Sequence, residues 1–291
     1  MDQANKLRDM FQTHIEKPRL GRQLSARVIT VTSGKGGVGK TNCAVNLAIH
    51  MQNQGQRVVI IDADFGLANI EILLGIVPRH SLADVLNGEK AVTDVLTSGP
   101  NGVQFISGGS GLRELANLSD RQMAYLLESF TVLDNLADII IIDTGAGISK
   151  SVINFVRASN EAIIVTTPEP TAVTDAYALV KMIKFENSDL PSVKVIVNRT
   201  DEANEGHEVF EKLNKVSTRF LSMPLEFLGS IPFDRNLVRA VKRQQPAAIS
   251  YPTSSFTMAI GQVGDQLLDL PPKQAKSGGL LSFMKRLVGS R

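Results

Sequence analysis

The 291-residue sequence predicts an α/β fold: a doubly wound, mostly parallel sheet with helices on both faces and a short appendage at each end. Two observations predict this fold class. The candidate strands are continuous runs of β-branched residues, which is typical of strands that are buried on both faces. Segments with helical periodicity alternate with these runs, as expected for a succession of strand–helix–strand units.

Five apolar runs are the predicted strands, at Val28–Val31, Val58–Ile61, Ile139–Ile142, Ala162–Val165 and Val193–Val197. The segments with helical periodicity between and after them are the predicted helices, at Asn42–Gln54, Ser119–Leu136, Ser151–Arg157, Ala172–Phe185 and Glu205–Phe220. This alternation assigns residues 25–270 to one sheet-forming domain.

Residues 1–24 precede the first strand and are predicted to form one short amphipathic helix. Its apolar positions fall on one helical face, at Leu7, Met10, Phe11, His14 and Ile15. Pro18 then ends the helix. Because so short a helix is not stable alone in water, it is expected to dock, either in a groove of a partner or on its own domain.

The other end of the chain is predicted to be a linker, residues 271–279, followed by an amphipathic helix, residues 280–291. The linker contains Pro271-Pro272 and Ser277-Gly278-Gly279. The apolar face of the helix is formed by Leu280, Leu281, Phe283, Met284, Leu287 and Val288, with Lys285 and Arg286 off that face. A basic amphipathic helix on a flexible tether is typical of membrane-surface binding to anionic lipid. The alternative is that the apolar face packs on the domain.

Composition excludes several classes of protein. The net charge of +2 creates no strong field for nucleic acid, and the single cysteine, Cys43, excludes an internal disulfide framework or a site built from several thiolates of one chain. The four histidines are scattered, so no metal other than Mg²⁺ is expected. Without a signal peptide or a run long enough to span a bilayer, the chain is predicted to be cytoplasmic and peripheral on the inner face of the cell membrane.

The strongest chemical signal is the segment Gly34-Lys35-Gly36-Gly37-Val38-Gly39-Lys40-Thr41, which follows the first predicted strand and opens a helix. It matches the phosphate-loop spacing G-x-x-x-x-G-K-[ST] in the required context. Glycines let the backbone N–H groups converge on phosphate oxygens, and the helix N-terminus adds partial positive charge. Lys40 is predicted to reach the β- and γ-phosphates, and the Thr41 hydroxyl to bind Mg²⁺.

Three acidic residues follow predicted strands at the edge where an open α/β sheet binds its ligands. Asp62 and Asp64 close the second strand, and Asp143 follows Ile139–Ile142. Asp143 is predicted to hold Mg²⁺, directly or through water, with Asp62 as a second candidate ligand. Asp64, which lies further out, is predicted to orient the attacking water. The alternative for Asp62 is a helix cap or a turn.

A second lysine at the start of the phosphate loop, Lys35, makes the segment resemble the deviant Walker A motif of MinD/ParA ATPases. Further matching segments follow in order: Asp62-Ala63-Asp64, Asp143-Thr144-Gly145-Ala146-Gly147, Pro168-Glu169-Pro170 and Asn198-Arg199. The resemblance implies a slow ATPase in which Lys35 reaches across a homodimer to the partner's nucleotide. It also implies that Asn198, Arg199, Pro232 and Phe233 surround the adenine base.

Within that family the sequence is most similar to the FlhG group (YlxH, FleN), regulators of flagellar number and placement. The opening Asp2-Gln3-Ala4-Asn5-Lys6-Leu7-Arg8 resembles that group's activator element, and Thr144-Gly145 stands where MinD has Ser-Pro. The resemblance implies that Gln3, Leu7 and Arg8 engage an FlhF-type GTPase, with flagellar switch proteins or a transcription regulator as further candidates. The alternatives are a MinD-type division-site ATPase and a ParA-type DNA partition ATPase.

Overall fold

The computed structural model describes residues 26–64, 69–108, 131–185, 191–269 and 279–289. In these ranges the strands form one eight-stranded sheet with helices packed on both faces. The predicted doubly wound α/β fold is therefore confirmed.

The strands of the described ranges are β1 (Arg27–Ser33), β2 (Val58–Ala63), β3 (Thr97–Ser98), β4 (Gln104–Ile106), β5 (Ile139–Ala146), β6 (Glu161–Thr166), β7 (Ser192–Thr200) and β8 (Glu226–Pro232). Their order in the sheet is β3-β4-β2-β5-β1-β6-β7-β8. The β3–β4 pair is antiparallel and the other pairs are parallel. The five predicted strands all form. The sequence missed β3 and β4, which are too short for a pattern, and β8, which contains Gly229 and Pro232.

The α-helices whose two ends both lie in the same ranges are α1 (Lys40–Asn53), α2 (Asn69–Leu74), α3 (Leu82–Leu86), α4 (Lys150–Ala158), α5 (Pro170–Phe185), α6 (Glu205–Leu221), α7 (Arg235–Lys242), α8 (Ala247–Ser250), α9 (Ser255–Asp269) and α10 (Leu280–Gly289). Most of the predicted helix at Ser119–Leu136 lies outside the described residues, and residues 131–136 are helical. The sequence missed α9, in which Gly261 and Gly264 lower the helix propensity.

Alternate residues of the central strands face two different cores, which explains why their sequences are continuously apolar. Ile29 of β1 and Ile141 of β5 pack in the core that contains α1 and α9. Val28 and Ile140, one residue earlier, pack in a core on the other face. The burial of each such side chain contributes about 1.5–3 kcal/mol relative to leaving it exposed, so both helical layers are held to the sheet.

The C-terminal helix α10 packs against the domain through its apolar face. Leu280, Phe283 and Met284 are buried in the core that also holds Val28. The Phe283 ring stacks on the ring of Phe155 in α4, with 6.1 Å between the ring centroids.

Hydrogen bonds fasten both ends of α10. The Leu280 N–H donates to Asp134 Oδ1 at 2.6 Å, and Arg286 Nε donates to the Ala158 carbonyl at 2.8 Å. In the structure, the apolar face of α10 therefore docks on the domain, which was the alternative. The sequence had favoured a detached helix that binds the membrane. An apolar helix face is stabilised by an apolar protein groove as well as by lipid, which is why the sequence alone did not distinguish the two.

Several predicted segments lie outside the described residues. These are the N-terminal segment 1–24 with Gln3, Leu7 and Arg8, most of the linker 271–279, and the side chains of Leu281, Lys285 and Val288. Among the helices that the structure does describe, none has the length and apolar character needed to cross a membrane.

Candidate nucleotide-binding site

Buried polar atoms without partners mark the carboxyl edge of the sheet. Within the described ranges, four buried side-chain atoms make no hydrogen bond: Thr32 Oγ1, Asp143 Oδ2, Thr167 Oγ1 and Asn198 Oδ1. They lie in or directly after the carboxyl-terminal halves of four neighbouring strands, β5, β1, β6 and β7. Because buried polar atoms are nearly always paired, this clustering indicates that the edge binds a polar ligand.

The phosphate loop connects β1 to α1, as predicted. A side-chain carbon placed on Gly36 or Gly37 would meet no atom within 4 Å, so this part of the loop borders open space. Gly39, at φ 94°, immediately precedes α1 and lies against the side-chain amide of Asn198. A larger residue at Gly39 would be strained by the left-handed backbone and would overlap that amide.

Lys40 and Asp143 form a buried ion pair beneath the loop. Lys40 Nζ lies 2.7 Å from Asp143 Oδ1 and 3.4 Å from Thr41 Oγ1. The two charged side chains are 7% and 0% exposed. Burial raises the pKa of Asp143, and the adjacent Lys40 ammonium opposes that rise. The structure therefore brings together three of the four side chains that the sequence assigned to phosphate and Mg²⁺: Lys40, Thr41 and Asp143.

These side chains fit a magnesium ion that arrives with a nucleotide. Asp143 Oδ2 is buried and unpaired, and the Thr41 hydroxyl is close by. In the part of the chain that the structure describes, no group of three histidine, cysteine or acidic residues could hold a metal by itself. Mg²⁺ prefers one or two protein oxygens, phosphate oxygens and water, which matches this donor set.

Asp62 performs the capping role that was the alternative to metal binding. Its Oδ1 accepts the Asp64 N–H at 3.1 Å, and its Oδ2 accepts the N–H groups of Asn69 and Ile70 at 3.0 and 3.2 Å. The carboxyl group thus closes a turn and caps α2. Burial, with a further contribution from the negative charge of Asp143, raises the pKa of Asp62 to about 7.

Asp64 lies at the rim of the site, further out than Asp62, as the sequence predicted. Its Oδ2 accepts a hydrogen bond from Asn69 Nδ2 at 3.2 Å. Its Oδ1 lies so close to Gly145 that a side-chain carbon at this position would approach it to 3.4 Å. The strand β5 runs on to Ala146, beyond the predicted end at Ile142, and this extension carries Gly145 past Asp143 to Asp64.

Lys35 is partly exposed and contacts residues other than those of the buried Lys40–Asp143 pair. Its Nζ is 2.8 Å from Glu169 Oε2 and 2.8 Å from Thr171 Oγ1, and the side chain is 36% exposed. The hydrogen bond and the charge of Lys35 lower the pKa of Glu169. This contact could not be predicted from the sequence, because Glu169 is 134 residues away along the chain.

A cleft of about 300 Å³ opens beside the loop. Its walls are Gly39, Asn42, Asn198, Arg199, Pro232, Phe233, Asp234, Leu237, Val238, Val241 and Lys242. The four residues expected around a base, Asn198, Arg199, Pro232 and Phe233, therefore meet in one place. Asn42 and the wall formed by α7 were not predicted as parts of the cleft, since neither belongs to a recognisable motif.

Two contacts set the shape of this cleft. Asn198 Nδ2 donates to the Val38 carbonyl at 2.7 Å, which leaves its Oδ1 as an unpaired acceptor. Asp234 accepts the N–H of Asn236 at 2.7 Å and the N–H of Phe256 at 3.1 Å, so one carboxylate caps α7 and binds the first turn of α9. Burial alone would raise the pKa of Asp234, but these hydrogen bonds outweigh it and hold the pKa below its usual range.

Comparisons with known proteins agree with this geometry. A family model described as ParA, NUBPL iron-transfer P-loop NTPase, matches residues 25–268. The antiactivator FleN of Pseudomonas aeruginosa is 40% identical over 93% of this chain and 96% of its own length. The flagellum site-determining protein YlxH of Helicobacter pylori is 33% identical over 99% of this chain and 98% of its own.

A solved structure shares the fold as well as sequence. The septum site-determining protein MinD of Pyrococcus horikoshii, complexed with Mg-ADP, superposes with a TM-score of 0.69 and 25% identity. The match covers 86% of this chain and 99% of that one. The phosphate loop, its second lysine and the sheet order agree with these matches, and the chain belongs to the ParA/MinD-type family of P-loop NTPases.

Proposed function

We propose that this protein is an ATP-binding and ATP-hydrolysing homodimeric switch, which associates with the membrane in its ATP state and regulates flagellar number and placement. The observation that carries the proposal is the position of Lys35. This side chain is partly exposed and contacts Glu169 and Thr171, whereas Lys40 is buried against Asp143. A lysine so placed is available to a nucleotide bound by a second subunit.

The base cleft supports adenine over guanine. The Val38 carbonyl requires a donor and so orients the Asn198 amide, whose Oδ1 then faces the ligand as an acceptor. Adenine presents its 6-amino group as a donor, whereas guanine presents a carbonyl oxygen at that position. Apolar side chains from Val238 and Val241 line the cleft for the faces of the ring.

In hydrolysis the residues of this chain position the reactants and balance the charge. Bound Mg²⁺ would neutralise phosphate oxygens, held through Asp143 and Thr41. Lys40, paired with Asp143 in this structure, turns to the β- and γ-phosphates, and Asp64 at the rim orients the attacking water. In the dimer, Lys35 of the partner subunit adds a positive charge at the nucleotide. In the isolated subunit, Lys35 does not reach its own nucleotide.

The dimer is tested by size-exclusion chromatography with light scattering. An Asp64→Ala variant, which keeps the nucleotide intact, is compared in ADP and in ATP, each with Mg²⁺. We expect a monomer in ADP and a dimer in ATP. The Lys35→Ala change in the same background should prevent the dimer while ATP binding persists. A protein that stays monomeric when saturated with ATP would refute the switch, and Asp64→Ala with unchanged turnover would refute the role of Asp64.

Membrane association is proposed to use the apolar face of α10, after this helix leaves the domain. Two copies in a dimer bind a surface together, so effective concentration strengthens a weak single contact, by about 100-fold or more. The test is vesicle flotation of the full chain and of a truncation at Pro271, with ADP and with ATP. Equal flotation of the truncated protein would overturn the assignment to α10.

The flagellar role is supported by two relatives, the antiactivator FleN and the flagellum site-determining protein YlxH. We propose that the N-terminal segment contacts an FlhF-type GTPase and stimulates its GTP hydrolysis through Gln3, with Leu7 and Arg8 as anchors. The measurement is the GTPase rate of that partner with the wild-type chain and with Gln3→Ala. An equal rate with both proteins would exclude this role for Gln3.

An iron–sulfur function, suggested by the description of the matching family model, is disfavoured by Cys43. This is the only cysteine of the chain, and its side chain is buried in α1. Burial, reinforced by the charge of Asp143, raises the pKa of the Cys43 thiol to about 12. An iron–sulfur cluster is held by several cysteine thiolates, and a chain with one buried thiol does not supply them.

A further inference from the structure

Asn69, the first residue of α2, contacts both acidic residues at the end of β2, Asp62 within the strand and Asp64 just after it. Its backbone N–H donates to Asp62 Oδ2 at 3.0 Å, and its side-chain Nδ2 donates to Asp64 Oδ2 at 3.2 Å. Residues 65–68 between Asp64 and Asn69 lie outside the described ranges. Asn69 therefore ties the start of α2 to both carboxyl groups.

The first of these bonds anchors Asn69 in the site. Asp62 is 2% exposed and also accepts the N–H groups of Asp64 and Ile70. Three donors to one buried carboxyl group fix the backbone at Asp64 and at the start of α2. The Cα of Asn69 is thus held in place by the backbone, independently of its own side chain.

The second bond acts on Asp64, whose carboxylate needs such a contact because it is only partly buried. On the opposite side of this carboxylate lies Gly145, which offers room but no side-chain donor. Among the hydrogen bonds of the described residues, the Asn69 amide makes the one that restrains the Asp64 side chain. A carboxylate that must orient a water loses effectiveness when its position shifts by about 1 Å.

We infer that Asn69 is a positioning residue for ATP hydrolysis, which holds the Asp64 carboxylate in the orientation that aligns the attacking water. The inference rests on the proposed function, in particular on the role of Asp64. Asparagine suits the position because its amide nitrogen is a donor that reaches Asp64. Aspartate would place a second negative charge against Asp64, and serine is too short to keep the contact.

The test is single-turnover hydrolysis of ATP by the full-length protein with saturating ATP and Mg²⁺. Asn69→Ala keeps the backbone N–H to Asp62 and removes only the contact to Asp64. We expect the rate constant for hydrolysis to fall by about 10- to 100-fold, while the dissociation constant for ATP and the midpoint of thermal unfolding stay unchanged. Asn69→Asp should slow hydrolysis at least as much.

A matched control and a double variant separate positioning from folding. Asn53→Ala removes another side-chain amide contact, in which Asn53 Oδ1 accepts from Asn101 Nδ2 at 2.9 Å, remote from the site. It should hydrolyse ATP at the wild-type rate. In the Asp64→Ala background, Asn69→Ala should cause no further loss, because no carboxylate remains to be positioned.

The outcomes distinguish the two hypotheses. If Asp64→Ala leaves hydrolysis unchanged, the proposed role of Asp64 fails. If Asp64→Ala leaves only a slow residual rate but Asn69→Ala retains the wild-type rate, the positioning role is wrong while the proposed function stands. A loss of rate that comes with weaker ATP binding, with a lower unfolding midpoint, or equally in the Asp64→Ala background also overturns the positioning role.

Discussion

Replacing Phe155 by leucine should release the C-terminal helix α10 from the domain and strengthen binding to anionic vesicles. Phe155 lies in α4 and stacks on Phe283, and it is not part of the helix that is proposed to enter the membrane. The change therefore weakens the docked state and leaves intact the face of α10 that is proposed to bind lipid.

The magnitude follows from the aromatic contact. The two rings lie 6.1 Å apart at an interplanar angle of 22°, in the range where an aromatic pair contributes about 0.5–1.5 kcal/mol beyond its burial. Since 1.4 kcal/mol is a factor of ten, its loss shifts the docking equilibrium about 2- to 10-fold toward the released helix. The apparent dissociation constant for vesicles falls by the same factor as long as the released form is the minor one.

The assay is co-sedimentation with vesicles of phosphatidylcholine and phosphatidylglycerol, with thermal unfolding measured in parallel. The control is Phe256→Leu, since Phe256 is fully buried in the core on the opposite face of the sheet and does not contact α10. Both variants should unfold at a lower temperature. Only Phe155→Leu should bind vesicles more tightly, and truncation at Pro271 should abolish the difference.

Two outcomes would refute this reasoning. If Phe155→Leu binds vesicles no more tightly than wild type although α10 has become accessible to protease, the docked face is not the lipid-binding face. If both phenylalanine variants bind vesicles more tightly, the gain comes from general destabilisation and not from release of α10.

Three further predictions concern the site. The folded protein keeps the Asp62 proton up to about pH 7, whereas the unfolded chain releases it near pH 4. The free energy of unfolding of the nucleotide-free protein, measured by urea titration, should therefore decrease as the pH rises from 4 to 7. The decrease should be weaker in Asp62→Asn. If the free energy of unfolding changes with pH equally in both proteins, the raised pKa of Asp62 is contradicted. Asp234→Ala removes the capping acceptor of α7 and the contact to α9, and each cap contributes about 0.5–2 kcal/mol. The free energy of unfolding, measured by thermal unfolding, should therefore fall by about 1–4 kcal/mol, and calorimetry should show a weaker affinity for ATP. A fall of less than about 0.5 kcal/mol would contradict the double role of Asp234. Gly39→Ala should abolish ATP binding in the same calorimetric assay, while the circular dichroism spectrum stays that of the folded protein. If this variant instead binds ATP with wild-type affinity, the loop tolerates a side chain next to Asn198.

The parts of the fold that could be predicted are those with a strong local signal. A central strand such as β5 is covered on both faces, so every residue from Ile139 to Ile142 is apolar and the run is visible without a structure. The phosphate loop was also predictable, because its function depends on residue types at fixed short spacing. Edge strands β3 and β4, with two and three residues, carry no comparable pattern.

Contacts between residues distant in the chain could not be predicted. The position of Lys35 depends on Glu169 and Thr171, at the start of α5. Asp62 and Asp64 look alike in the sequence, and the N–H groups of α2 decide which one becomes the cap. Asn69 carried no motif, and its proximity to Asp64 becomes evident only when α2 is seen to begin beside the strand.

The amino-acid sequence by itself determined that this chain is a P-loop protein with a parallel sheet, because burial on both faces and phosphate binding leave local patterns. The tertiary structure decided how the charges pair and where α10 lies. An amphipathic helix exposes the same apolar face to lipid or to a protein groove, and a lysine pairs with whichever acid the fold brings near. These outcomes depend on distances across the sheet, which no local pattern of residues records.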